Sequence, residues 1–233
     1  QNVDFNMSGG NDKLTYYSSA NYFNQESIVK ASGFSRLAFT TKIGYQATDK
    51  LKVTTDFQIS HSKLQTLSQG GAFSNPILAQ YFNRPSDRVR NEDGSFYWAA
   101  SNSRLSNGLY NIPYLQENNY AKGGTLRGYA NLGIEYDILD NLTYKLVFSP
   151  EYINIEEDTY WNPLHGDGFT YGGYQRTSNN RYFNFNVQNI LDWNERFGNH
   201  NVGATLIQEA YKTDNKFIAA TGITVGTPTL ETL

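Results

Sequence analysis

The sequence predicts an all-β fold, an antiparallel transmembrane β-barrel segment of about eight long strands. Apolar and polar residues alternate along most of the chain, which is typical of strands with one apolar face. The predicted strands are longer than the ~5–6 residues of an ordinary strand. Short turns alternate with long loops, as in outer-membrane barrels. We therefore interpret residues 1–233 as a partial transmembrane β-barrel domain.

The alternation predicts the position of each strand, and no amphipathic helix competes with it. The eight predicted strands are Asn2–Ser8, Lys13–Asn24, Phe34–Ala47, Leu51–Thr66, Thr125–Ile138, Leu142–Glu156, Tyr182–Arg196 and Asn201–Thr213.

Each strand has one apolar and one polar face, because successive side chains of a strand point in opposite directions. The apolar faces should contact lipid and the polar faces the barrel interior. Enclosure of the apolar rows within a protein interior would contradict this orientation. The residues of the apolar rows that test the orientation are Phe39, Ile59, Leu132 and Phe148. Two residues, Ile190 and Ile207, break the alternation.

The connections fall into two length classes. Short turns are predicted at Gly9–Asp12, Thr48–Lys50, Leu139–Asn141 and Phe197–His200. Long loops are predicted at Gln25–Gly33, Leu67–Gly124 and Glu157–Arg181. In such barrels the short turns are periplasmic and the long loops extracellular. Aromatic residues beside the short turns fit the girdle at a membrane interface: Tyr45, Tyr136, Tyr144 and Trp193.

The short turns also predict the register of two hairpins. If Ala47 opposes Leu51, then Lys42 faces Asp56. If Ile138 opposes Leu142, then Glu135 faces Lys145. Opposite charges directly across a hairpin stabilise it by roughly 0.2–1 kcal/mol. We therefore expect these four residues to form two structural pairs that face the barrel interior.

Composition argues against several classes of function. The chain has no cysteine. Its 19 basic and 22 acidic residues give a net charge of −3, and this balance offers no general basis for binding nucleic acid. No metal site or cofactor is predicted, because the three histidines are far apart in sequence. The carboxylate pairs show no spacing that singles out an acid and a base, so we predict that the chain is not an enzyme.

The segment Ser8–Phe39 carries the most specific motif, SGGNDKLTYYSSANYFNQESIVKASGFSRLAF. It resembles the SusC/RagA-like TonB-dependent outer-membrane receptors of Bacteroidetes, in which an SGG(N)DK turn precedes a Tyr-rich strand. Ser27 stands where that family usually has Gly. The pattern continues through Ala47–Ser60, and the later hairpins fit the family only in general style.

The resemblance implies a bacterial outer-membrane location and a barrel of about 22 strands, with a plug and further strands outside this chain. It implies a SusD-like surface lipoprotein as partner and contact with TonB through the plug region. It also implies import of oligosaccharides or peptides. We recognise no plug or TonB-contact segment in this chain.

Aromatic residues of the long loops are candidates for substrate contact, since flat rings suit sugar faces and anchor interfaces. Packing of the loops against one another, or against the lipoprotein, is the alternative role for these rings. The candidates are Tyr97, Trp98, Trp161, Tyr171 and Tyr174.

Two alternatives to the importer remain open from the sequence. One is a closed eight-stranded outer-membrane barrel that acts as an adhesin or structural protein. The other is a soluble β-sandwich, either a carbohydrate-binding module or a glycosidase domain. A sandwich would bury its apolar faces in one core.

Overall fold

The computed structural model describes residues 1–66, 73–97 and 109–225. Within them, eight strands form one antiparallel sheet in sequence order, and each strand pairs with the next. The strands are β1 (Asn2–Gly10), β2 (Leu14–Glu26), β3 (Gly33–Thr48), β4 (Leu51–Thr66), β5 (Tyr120–Leu139), β6 (Leu142–Trp161), β7 (Tyr174–Phe197) and β8 (His200–Ile223).

The long loops contain short helical segments that the alternation did not predict. They are α1 (Pro76–Ala79), α2 (Ile112–Asn118) and a 3-10 turn at Asp167–Tyr171. Asparagine side chains cap the two α-helices, and a proline stands in the first turn of each, as is typical of helix N-termini. Among the described residues, neither helix has the length and apolarity needed to cross a membrane.

All eight predicted strands are present, but β5 to β8 are longer than predicted at the long-loop end. β6 continues to Trp161, β7 starts at Tyr174, and β8 continues to Ile223. The alternation that predicts a strand is absent at these ends. In β7, both faces are polar from Gln175 to Asn180, and in β8 the apolar residues Phe217 and Ile218 are consecutive.

The apolar rows are exposed. Phe39, Ile59 and Leu132 keep 40%, 39% and 40% of their surface accessible, and Phe148 is half-buried. No second sheet covers this face among the described residues. The β-sandwich alternative is therefore wrong, because a sandwich packs such rows between two sheets.

The sheet is open at both sides. Among the described residues, β1 pairs with β2 alone and β8 with β7 alone. A closed eight-stranded barrel would pair β1 with β8, so this alternative does not match the structure. The exposed edges need further strands in a membrane, where unpaired backbone groups are costly.

The register places Lys42 opposite Asp56 and Glu135 opposite Lys145. The turn geometry that we used to predict it needs correction. Thr48, not Ala47, pairs with Leu51. Likewise, Leu139 and not Ile138 pairs with Leu142. One extra residue is accommodated as a bulge beside each two-residue turn, and a bulge restores the register without exchanging the faces.

Candidate functional site

The long loops pack into a small cap at one end of the sheet. Its buried apolar residues come from α1, α2 and the segment before α2, and Phe96 packs against them. The strands themselves contribute little to a protein core, since one of their faces is exposed. The cap is the main site in the described chain where burial of apolar surface holds loops in place. Its core residues are Ala79, Tyr110, Ile112, Tyr114 and Leu115.

Asn111 connects three parts of the cap. Only 1% of its surface is exposed. Its amide nitrogen donates to the carbonyl oxygens of Val89 (2.7 Å) and Tyr97 (3.0 Å). Its backbone N–H donates to Nε2 of the fully buried His165 at 2.6 Å. A side chain that can donate twice and accept is suited to join several segments at once.

A second asparagine joins the cap to the sheet. The side-chain oxygen of Asn162, directly after β6, accepts the Tyr114 hydroxyl at 3.1 Å and the backbone N–H of His165 at 3.1 Å. Its own amide donates to Asn119 Oδ1 at 2.6 Å. Burial of Tyr114 raises the pKa of its hydroxyl, and the neighbouring Tyr160 adds to this effect. The hydroxyl therefore stays a neutral donor.

Glu117 of α2 connects the cap to the loop between β2 and β3. Lys30 Nζ lies 3.1 Å and Arg90 Nη2 lies 3.3 Å from Glu117 Oε1. The hydrogen bond from Lys30, together with the charges of both cations, lowers the pKa of the Glu117 carboxyl. This carboxylate thereby brings together segments that are 87 residues apart in sequence.

Three of the five predicted ligand-contact residues form an aromatic cluster. The rings of Trp161 and Tyr174 stack at 4.6 Å between centroids with an angle of 29°. Tyr171 lies 6.4 Å from Trp161 and 6.2 Å from Tyr174. Gly172 and Gly173 take φ angles of +63° and +97°, which glycine adopts readily, and so return the chain from Tyr171 to β7.

The stacked pair lies on the polar face of the sheet. The β6–β7 register is uninterrupted from Lys145, opposite Ile190, through Glu151, opposite Asn184, to Trp161, opposite Tyr174. Every second residue of a strand shares a face, so Trp161 is on the side of Lys145 and Glu151. The aromatic cluster therefore borders the polar face where it meets the long loops.

A hollow of about 180 Å³ lies next to the cluster on the same face. Arg176 and Glu157 line it, and small residues of β5 leave the space open. Glu157 accepts a hydrogen bond from Ser178 at 3.3 Å, while Arg176 is exposed and makes no ion pair with a described residue. Sequence analysis missed both, because they fall in the segment predicted as loop.

The other two predicted ligand-contact residues are not part of the cluster. Tyr97 is half-buried in the cap, and the Arg88 guanidinium lies 5.7 Å from its ring centre. Its carbonyl oxygen also accepts from Asn111. Trp98 lies outside the described residues.

Charged and amide side chains form networks on the polar face. Lys42 Nζ lies 3.5 Å from Asp56 Oδ2, and Lys145 Nζ lies 3.5 Å from Glu135 Oε2. Lys145 is also 3.5 Å from Asp192 of β7, a contact that a single hairpin cannot reveal.

A further ion pair, at 2.5 Å, joins Arg127 to Glu151, which also accepts from Asn184 at 3.1 Å. The sequence contained the signal for this pair. The β5–β6 register sets Tyr129 opposite Glu151, which makes Arg127 the diagonal neighbour of Glu151.

Residues 90–96 of the cap form a tight hairpin, closed by the bridge between Arg90 and Phe96. Asp93 accepts the backbone N–H and the hydroxyl of Ser95, and these hydrogen bonds lower the pKa of the Asp93 carboxyl. Within residues 1–66, 73–97 and 109–225, no group of three His, Asp or Glu side chains is arranged to hold a metal ion.

Sequence comparison finds similar proteins among TonB-dependent receptors. The chain is 29% identical over 161 residues to TonB-dependent receptor P26 of Formosa agariphila, covering 68% of this chain and 15% of that protein. It is 28% identical over 214 residues to TonB-dependent receptor P3 of the same organism, covering 86% and 20%. The chain thus spans a fifth or less of these relatives. No family model matches it.

Structure comparison finds the same architecture. The chain superposes on the RagAB peptide transporter with a TM-score of 0.76 and 16% identity, covering 98% of this chain and 26% of that one. The RagAB peptide importer in the closed-closed state gives a TM-score of 0.72 and 15% identity, with 95% and 25% coverage. At this identity the superposition shows the fold: an antiparallel segment of a large barrel.

Proposed function

We propose that this chain, a barrel segment of a SusC/RagA-like TonB-dependent outer-membrane receptor, forms part of the wall and mouth of a nutrient importer. Residues 1–233 would belong to one partial barrel domain. The short turns are periplasmic, and the cap is extracellular. The transported nutrient would be an oligosaccharide or a peptide, and this chain would make and break no covalent bond.

One observation carries the proposal: the two faces of the sheet suit two different media. The apolar row is exposed along the strands, and the opposite face carries ion pairs and amide networks. Hydrocarbon accepts the first face, and a water-filled channel accepts the second. An importer needs both on one wall.

The aromatic cluster supports substrate contact at the extracellular mouth. Trp161 and Tyr174 lie on the channel side, and Tyr171 beside them is 49% exposed. The buried indole nitrogen of Trp161 has no hydrogen-bond acceptor among the described residues. Such a donor costs about 1–3 kcal/mol, and a ligand oxygen would satisfy it. Arg176 and Glu157 would add charged contacts below the rings.

An exposed apolar patch on the cap supports a protein partner. Ile77, Leu78, Tyr81 and Phe82 are 53%, 46%, 76% and 54% exposed, on the water side of the membrane. Contiguous exposed apolar residues of a soluble region mark interaction surfaces. The partner that the family implies is a SusD-like surface lipoprotein, and TonB would act through the plug region outside this chain.

Uptake by cells that carry the complete receptor tests the proposal. Trp161→Leu should reduce uptake of the transported oligosaccharide or peptide about tenfold, because the variant lacks the indole ring and its N–H donor, and a loss of about 1.4 kcal/mol in binding is a tenfold change. Phe39→Leu is the matched control, because Phe39 lies on the lipid side and is 40% exposed.

Two outcomes would contradict the proposal. Equal uptake by the Trp161→Leu and Phe39→Leu receptors, at equal amounts in the outer membrane, would remove the cluster from the substrate path. Unchanged growth on every oligosaccharide and peptide source after deletion of the receptor gene would reject the import function itself.

A further inference from the structure

The lipid-side face of β7 changes from apolar to charged, and β8 carries charged residues beside that change. On β7, Phe185 and Phe183 are followed on the same face by Arg181. On β8, Lys212 and Lys216 lie at the same level on that face, opposite Phe185 and Arg181. Phe183 is 45% exposed. We call the three cations the basic rim. On β7 the apolar row ends at Arg181, whereas on β8 Lys212 is level with Phe185, and the exposed Ile218 follows Lys216 on the same face.

Arg181 and Lys216 are directly opposed in the register. The Cβ atoms of directly opposed residues are about 4.5–5.5 Å apart, and like charges at such positions destabilise a sheet. Neither residue makes an ion pair within residues 1–66, 73–97 and 109–225. Within the described chain, only diagonal neighbours offset this repulsion, and none of them is in ion-pair contact with either cation.

Two acidic residues lie near the basic rim without pairing with it. Asp214 is on the same face of β8, opposite Phe183. Glu156 is diagonal to Arg181 on β6, and its Oε1 accepts from Asn154 at 3.0 Å and Asn179 at 3.4 Å. Counting all five charged groups, three cations face two carboxylates, so a net positive charge remains.

We propose that the basic rim binds the phosphate of an anionic lipid headgroup in the outer leaflet. A phosphate between Arg181 and Lys216 would replace their repulsion by two attractions, and a guanidinium can bind two phosphate oxygens at once. The acyl chains of the same lipid would lie along Phe183 and Phe185. This inference rests on the membrane orientation of the sheet and is independent of the transported nutrient.

The complete receptor in lipid nanodiscs tests this inference. Native mass spectrometry would count phosphatidylglycerol retained by the receptor in mixed phosphatidylglycerol–phosphatidylcholine nanodiscs. Arg181→Gln with Lys216→Gln should weaken retention by about fivefold per charge removed. Arg176→Gln is the matched control: it removes the same charge from the same strand on the opposite face, and it should leave retention unchanged.

A single variant keeps the test independent of folding losses. Arg181→Glu places a carboxylate opposite Lys216, so the receptor should fold stably and lose its preference for phosphatidylglycerol. Three outcomes would overturn the inference. The first is equal retention by the native and the doubly substituted receptors. The second is a loss in Arg176→Gln as large as that in the double variant. The third is thermal stabilisation of the native receptor by inorganic phosphate, in pure phosphatidylcholine, as large as that by phosphatidylglycerol. The last would point to a free anion rather than a lipid.

Discussion

Ile190 of β7 lies directly opposite Ile207 of β8 on the largely polar face. Each isoleucine breaks the alternation of its own strand, and the register makes the two exceptions one pair. Lys145 of β6 is the next residue in the same row, opposite Ile190. An apolar pair on the channel side is therefore a local contact between neighbouring strands, and it explains both exceptions at once.

We expect Ile190 and Ile207 to be energetically coupled. Replacing either by Thr removes the contact, so the double substitution should cost less than the sum of the single ones, by about 0.2–1 kcal/mol. Denaturant unfolding of the complete receptor in detergent measures this. Exact additivity would contradict a pairwise contact. Ile190→Thr with Thr40→Ser, a residue of β3 that pairs with β2 and β4, should be additive and is the control.

Reversing both charges of the Lys42–Asp56 pair should be tolerated better than reversing one. Lys42→Asp or Asp56→Lys alone places like charges opposite each other, whereas the double reversal restores attraction. The side chains are 57% and 46% exposed, so we expect a difference at the low end of about 0.2–1 kcal/mol. Thermal midpoints of the three receptors measure it, and equal damage by the single and double reversals would argue against the pair.

Asn111→Ala should loosen the extracellular cap. The substitution removes the donor of the Tyr97 carbonyl oxygen and the acceptor of the Tyr114 backbone N–H, whereas the Val89 carbonyl oxygen keeps the Tyr97 backbone N–H as donor. A lost partner of a buried group costs about 1–3 kcal/mol. Hydrogen exchange should therefore increase in residues 88–97 while the strands keep their protection.

Asn118→Ala provides the matched control for this prediction. It removes one hydrogen bond, from Asn118 to the Tyr114 carbonyl oxygen, and should change exchange much less. If both variants exchanged equally fast, Asn111 would not be the residue that joins the loops.

The contact between the cap and the β2–β3 loop should weaken in acid. The pKa of the Glu117 carboxyl is lowered in the folded state. The carboxylate therefore stabilises the contact fully at pH values above 4.5, the ordinary pKa of this group. That contribution is lost as the pH falls through the lowered pKa. Proteolysis of residues 27–32 by an acid-stable protease should accelerate over this range.

Glu117→Gln should remove this acid dependence, since the variant carries no charge at any pH. High salt should weaken the native contact in the same direction, because the pair is partly exposed and salt screens it. Acid-dependent cleavage that persists in Glu117→Gln would assign the effect to another group.

The sequence by itself determined the eight strands, their two faces and the pairing of Lys42 with Asp56 and Glu135 with Lys145. These features follow from local rules: a period of two, and short turns that fix the register of adjacent strands. Only the tertiary structure decided the cap and the strand ends near it. Asn111 meets His165 across 54 residues, a contact that no local pattern contains. Trp161 and Tyr174 pair on strands that continue beyond the lipid, where water meets both faces and the apolar alternation that marks a strand is no longer required.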